Sequence, residues 1–364
     1  MSQTRIVEGR VLCLFAFDVA SAIELASIPS DLRPERARIA PRRPAPEYVG
    51  YANPPVEISL GEQMVSVGGR SAAVSVTARL FDFGAVSISW TLPMPDTLGD
   101  LPGVAQALAA ETELGRLARR LLEGLVERIA PCLERPGLND LVEDFFVFQI
   151  AALDPPRDAE TLLRENAPLL AAALTMDAGP LARRQIEELV GEAISYYGSD
   201  LVLLDWNAAL IFDREWQDTV AVLEELNVRL VELRFLDLRL DRALGKFSVE
   251  VYRPPFGSLR APHRTAIRAL SELTVETLRL SEQVQNALKL IPDVYLARVH
   301  RRGAARLGLP AWEAMVRAKL EAVRQLITVL SERASVRRAE AMELAIILLI
   351  ALEIALALFG WMGG

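Results

Sequence analysis

The densest candidate for chemistry in this chain is the acidic stretch that carries Asp200, Asp205, Asn207 and Asp213. Carboxylates that converge on one point can hold Mg²⁺ or divide the work of a general acid and base, so Asp200, Asp205 and Asp213 brought together would make a metal-dependent hydrolase. The local sequence gives a plainer account. Asp205-Trp206-Asn207 suits a turn between two short apolar runs, and Asp213 stands where the N-cap of a following helix belongs. Tyr196, Tyr197, Trp206 and Trp216 surround these acids, either as a stacking platform or as the core about a hairpin.

Other reactive groups are sparse. Two cysteines, Cys13 and Cys132, and two histidines, His263 and His300, leave little material for a zinc centre or a disulfide framework, and both thiols read as reduced core residues. Phosphate-binding glycine loops, nucleophile elbows, zinc-hydrolase helices and C-x-x-C pairs are all missing from the sequence. No catalytic, metal or cofactor residue is assigned, and no small-molecule substrate is identified. Two further sets are candidates for function. Arg298, Arg301 and Arg302, with His300 and Arg306 beside them, could meet anionic headgroups or RNA phosphates, or simply solvate a helix. Glu353 is the one charge inside the apolar run Leu344–Met362, where it could line an oligomeric path in a channel or transport component.

The elements that must carry these residues follow from periodicity. RVLCLFAF (10–17) suits a buried strand, and Asp18 is placed to cap a helix through DVASAIELA. An Arg- and Pro-rich connection fills 29–55. Alternation at Val56-Ile58-Leu60, Val74-Val76-Ala78-Leu80 and Val86-Ile88-Trp90 predicts three strands. Helical spacing runs from Val104 to Leu133, and EDFFVFQIAAL (143–153) reads as another buried strand. Helices at 159–174, where Pro168 could split the run, and 180–193 precede a strand hairpin at 194–213. These elements predict an α+β head with an antiparallel or mixed sheet, ferredoxin-like in order, with helices on one face. Long apolar stripes at 215–244, 264–291 and 310–330 then predict a helical bundle or coiled-coil stalk. The expected division is 1–153, 154–213, 214–340 and 341–364.

Net charge is −8, which argues against a surface built throughout for nucleic acid. Residues 296–340 are an exception, with ten Lys or Arg against four Glu. The run 344–362 has the length of a single transmembrane helix, and basic residues before it would keep the bulk of the chain in the cytoplasm. MSQTRIVEGR does not read as a secretory signal. The expectation is a C-terminally anchored protein of a bacterial inner membrane, with the lipid bilayer as one partner.

FDFGAVSISW (81–90), SYYGSDLVLLDWNAALIFD (195–213), two or three long helices and EAMELAIILLIALEIALALFG (340–360) together resemble the family named after proteins required for meiotic nuclear division. That resemblance covers most of 70–360 as an order of features. It implies a membrane-held homo-oligomer that supports protein synthesis near ribosomes, hence ribosome or RNA contact, and it supplies no catalytic residues. The reading that results is an oligomeric scaffold or tether rather than an enzyme, with the hydrolase and the channel as rivals.

Overall fold

The computed structural model describes residues 4–32, 54–252, 262–287 and 294–362, so most of the Arg- and Pro-rich connection lies outside the described residues. The chain forms two compact units, one of Met1–Phe235 with Leu280–Glu313, the other of Leu236–Arg279 with Ala314–Gly364.

The first unit is built on a seven-stranded sheet. Its strands are β1 (Arg5–Asp18), β3 (Val56–Val67), β4 (Arg70–Leu80), β5 (Ala85–Pro93), β7 (Glu143–Asp154), β8 (Leu201–Leu204) and β9 (Ala208–Phe212), while β2 (Ala20–Ile23) and β6 (Leu133–Pro136) pair separately. The order is β3-β4-β5-β1-β7-β9-β8, antiparallel throughout except for the parallel β7–β9 pair. This is a mixed sheet but not the ferredoxin-like order: β3, β4, β5 and β1 form one antiparallel run instead of being interleaved with crossover helices. β1 is central, and from Val11 to Asp18 every residue is buried, because a strand covered on both faces needs apolar side chains at odd and even positions alike.

Helices accordingly lie on both faces, not one. On the first face Val11, Cys13, Phe15 and Phe17 join a core with α1 (Leu101–Ala109), α2 (Glu113–Ile129), α3 (Ala159–Thr175) and α4 (Arg183–Gly191). Pro168 sits inside an unbroken α3, whose start is capped by the Asp158 carboxylate accepting the Thr161 N–H at 2.7 Å. On the second face Ala16, Phe81 and Ala85 pack against Val228 and Val231 of α5 (Gln217–Tyr252). α5 does not stop at 244, where the apolar stripe predicts its end, but continues through Gly245 to Tyr252.

The helix expected after Asp18 is absent. The chain stays extended into β2 because the N–H groups of Val19 and Ala20 donate to the Gly84 carbonyl at 3.0 and 3.2 Å, drawing the segment onto the turn before β5. Gly84 has φ +106°, and a Cβ there would lie 1.8 Å from the Ala20 carbonyl oxygen, so only glycine fits. Asp18 is buried and accepts from Asn139 Nδ2 at 3.0 Å.

A helix that the apolar stripes do not predict, α7 (Val294–Arg306), follows α6 (Pro262–Ala287) and precedes α8 (Leu309–Met362). In the second unit Lys319 of α8 binds Asp237 at 2.7 Å and Asp241 at 2.6 Å, both on α5. Val316, Leu320, Val323 and Leu330 are the buried stripe of α8.

The membrane expectation is overturned. Among the described residues no helix is long and apolar enough to cross a membrane. The apolar side chains described in this run are those from Leu344 to Ile354. They follow Glu340 and Glu343 in the same helix, and the side chains from Ala355 onward lie outside the described residues. The single-pass anchor and the inner-membrane location inferred from it are therefore withdrawn.

Candidate functional site

The hairpin holds its acids apart. Leu201 pairs with Phe212 and Leu204 with Ala209, so Asp200 and Asp213 flank the open end of β8–β9 while Asp205 lies in the turn, about 16 Å away at ~3.3 Å per residue. Each has a local task. The buried Asp200 carboxylate accepts the backbone N–H groups of Tyr196 at 2.9 Å and Tyr197 at 2.5 Å. Asp205 closes the turn through its own N–H to the Ala208 carbonyl at 2.8 Å, and burial raises its carboxyl above the usual range. Asp213 Oδ1 accepts the Glu215 N–H at 3.0 Å, ahead of α5 rather than at its cap, and its carbonyl accepts from the buried Gln149 Nε2 at 2.8 Å. Among the described residues no three His, Cys, Asp or Glu are grouped to hold a metal ion.

The two thiols are equally enclosed. Cys13 sits in β1, where burial pushes its thiol up, and Cys132 donates to the Ser27 carbonyl at 3.3 Å. Neither offers the exposed, electropositive setting of a reactive cysteine.

The basic set divides. Arg298 Nη1 donates to the Ser195 carbonyl at 3.4 Å, and Arg302 and Arg306 pair with Glu192 at 3.7 and 3.2 Å. Arg301 is exposed. His300 faces inward at 3% exposure. Glu353 is exposed on α8 among exposed leucines and isoleucines.

The densest charged constellation was not among the sequence candidates. From Val222 to Leu233 every residue of α5 is buried, including Glu224, Glu225, Asn227, Arg229 and Glu232. Its polar groups meet partners from several directions. Glu224 pairs with Arg79 of β4, which also binds Glu57 at 2.9 Å. Asn227 Nδ2 donates to the Glu143 carbonyl at 3.0 Å, and the Glu143 carboxylate pairs with Arg234. Arg229 lies 3.1 Å from His300 Nε2 and 3.7 Å from Glu313.

Strand register explains the sheet side of this seam. Glu57 is opposite Arg79, Arg79 opposite Ser87, Ser87 opposite Ala16 and Ala16 opposite Glu143, a single row of side chains across five strands. Side chains of paired residues share a face, so the row turns its charges toward α5.

Burial dominates the electrostatics. It pushes Glu143 up to about 7 against the pull of Arg234, and raises Glu225 against the pull of Arg229. It lowers Arg229, which Glu225 and Glu313 partly restore, and with Arg229 it holds His300 down to about 4. These shifts belong to structural ion pairs inside the packing between helix and sheet. A sequence signal existed: Val222, Val228 and Val231 fall off the Val220–Leu223–Leu226–Leu230–Leu233 stripe, marking a helix covered on more than one side.

Comparison with known proteins places the head of the chain. The family described as "Uncharacterized protein MJ0711, N-terminal domain" matches residues 8–219. The uncharacterized protein MJ0711 of Methanocaldococcus jannaschii is 23% identical over 241 residues, which are 65% of this chain and 73% of that protein. No solved structure matches. These matches say nothing of meiotic division or of a membrane anchor. The matched residues take in the sheet, α1 to α4 and the 194–213 hairpin, and by that match the chain belongs to the family of the MJ0711 N-terminal domain.

Proposed function

We propose that this protein is an oligomeric scaffold, assembled through the exposed apolar part of α8, and not a catalyst. The observation that carries this reading is the stretch Leu344–Ile354, where Leu344, Ile346, Ile347, Leu348, Leu349, Ile350, Leu352 and Ile354 are all more than half exposed. A helix apolar on every side needs cover on every side. At roughly 100 Å² for each such side chain, the area is on the order of the ~800 Å² that one partner contributes to a stable interface. The occupant proposed is further copies of this chain. The buried α8 stripe Val316–Leu320–Val323–Leu330 returns in heptad phase at Leu344, Leu348 and Ala351, so the same seam that packs within one chain extends beyond it. A two-stranded seam leaves the outer faces bare, which favours more than two copies.

Light scattering on the full chain tests this reading. The expected mass is a multiple of 40.1 kDa, falling to one chain in the Leu344→Arg, Leu348→Arg double variant with an unchanged melting temperature. A single-chain mass at tens of micromolar, an assembly untouched by both substitutions, or a lone chain held in a detergent micelle would each overturn it.

A further inference from the structure

The loop before β8 is pinned by its own side chains. Asp200 accepts the amides of Tyr196 and Tyr197, Ser195 Oγ donates to the Tyr197 carbonyl at 2.6 Å, and the Gly198 carbonyl accepts the Ala159 N–H at 3.0 Å. Its product is two tyrosine rings about half exposed, at 48% and 52%, on a backbone with little freedom. Exposed aromatics held rigidly lose little entropy on binding, and for that reason Tyr and Arg dominate recognition surfaces.

Beside them stands the outer face of α7. Arg298 reaches the Ser195 carbonyl, Tyr196 packs edge-to-face on Tyr295 with centroids 6.3 Å apart, and Arg301 lies on the exposed side of the same helix. Glu192 pairs with both Arg302 and Arg306 and offsets only one of their two charges, and the exposed Arg298 and Arg301 add to the cationic character of the patch. On a chain of net charge −8 this is a local reversal of sign.

We propose that Tyr196, Tyr197, Arg298 and Arg301 form a docking surface for an acidic protein segment bearing aromatic or aliphatic side chains. Guanidinium groups pair with carboxylates in a forked geometry, and the tyrosine rings take apolar neighbours while their hydroxyls reach polar ones. Ring geometry favours protein over single-stranded nucleic acid. Tyr196 and Tyr197 meet at 80° with centroids 4.8 Å apart, whereas successive bases of one strand stack on faces that run parallel.

Fluorescence anisotropy on the full chain tests the proposal with three labelled probes: a peptide of mixed Asp and Phe, poly-aspartate, and poly(U). The mixed peptide should bind more tightly than poly-aspartate. The Arg298→Glu, Arg301→Glu double variant and the Tyr197→Ala variant should each weaken it about tenfold, one 1.4 kcal/mol step. The Arg116→Glu, Arg120→Glu variant on α2 should leave it unchanged, and melting curves establish that each variant is folded. Equal affinity for poly(U), equal losses in the α2 variant, or no binding of the mixed peptide would overturn the proposal. Oligomeric mass is read separately, so failure of the scaffold reading and failure of this surface are distinguishable.

Discussion

Arg229 and His300 face each other 3.1 Å apart, at 2% and 3% exposure. A guanidinium can only donate, so His300 Nε2 is the acceptor and its ring proton sits on Nδ1. Protonating His300 would set two cations against each other in the packing between α5 and α7, with Glu225 and Glu313 as the nearby counter-charges.

The sign of the pH dependence follows. His300 titrates at about 4 when folded and 6.5 when unfolded, so its contribution is fully present above 6.5 and is lost as pH falls through 4. The full loss is about 3 kcal/mol. His300→Gln keeps an acceptor for Arg229, and should gain on the wild type progressively from pH 7 to pH 4.5. Urea midpoints at the two pH values check this, and a constant gap would show that His300 charges freely in the fold.

Glu143 should behave in the opposite sense. Its folded value near 7 lies above its unfolded 4.5, so the contribution it makes is present below 4.5 and fades as pH rises through 7. Relative to Glu143→Gln, the wild type should lose up to about 3 kcal/mol between pH 4.5 and pH 7.5. Urea midpoints that separate in the other direction would mean that the contact with Arg234 outweighs burial.

Two glycines should differ sharply in cost. Gly84→Ala meets the Ala20 backbone and a positive φ together, and is expected to lose 3 kcal/mol or more, to the point of poor recovery of folded protein, about as much as the worst backbone effects. Gly303→Ala meets the tip of Leu226 at 2.6 Å, a side chain that can turn aside, and should cost about 1 kcal/mol. Thermal melts of both variants suffice, and equal costs would refute the contrast.

Asp200 and Asp205 should also separate. Asp200→Ala leaves two amides without their acceptor and should cost about 1–3 kcal/mol, whereas Asp205→Asn keeps turn chemistry and should stay within about 1 kcal/mol. Millimolar Mg²⁺ should move the melting temperature of neither variant nor of the wild type. A Mg²⁺-dependent rise that Asp205→Asn abolishes would revive the hydrolase.

Much of the sheet was legible because its signals are local. The run Val11–Phe17 lacks polar positions on either parity, and Val74-Val76-Ala78-Leu80 alternates cleanly, so both read as strands without knowledge of their neighbours. Asp18 misled because an aspartate before an apolar stretch serves a strand end as well as a helix cap, and only the carbonyl of Gly84, far along the chain, decides between them. On α5, Glu224, Glu225, Arg229 and Glu232 look like a solvated face, since the residues that bury them, Arg79 and His300 among them, are remote in sequence. Of the hairpin acids Asp205 reads as a turn residue, and its N–H to the Ala208 carbonyl fits that account, whereas Asp213, expected at the N-cap, lies ahead of α5. The apolar run in α8 reads as a span by the length of Leu344–Met362 alone, whereas among the described residues no helix is long and apolar enough to cross a membrane.

The row from Glu57 to Glu143 has a consequence for descent. Arg79 and Glu224 lie 145 positions apart; Glu224 is buried, while Arg79 keeps part of its side chain exposed and also binds Glu57. A change at Arg79 alone strands the buried Glu224 carboxylate, so lineages that reverse the charge at 79 should reverse it at 224 as well, whereas loss of Glu224 leaves Arg79 with Glu57. The seam between α5 and the sheet would then diverge in steps, slowly, while the exposed parts of the same helices change freely.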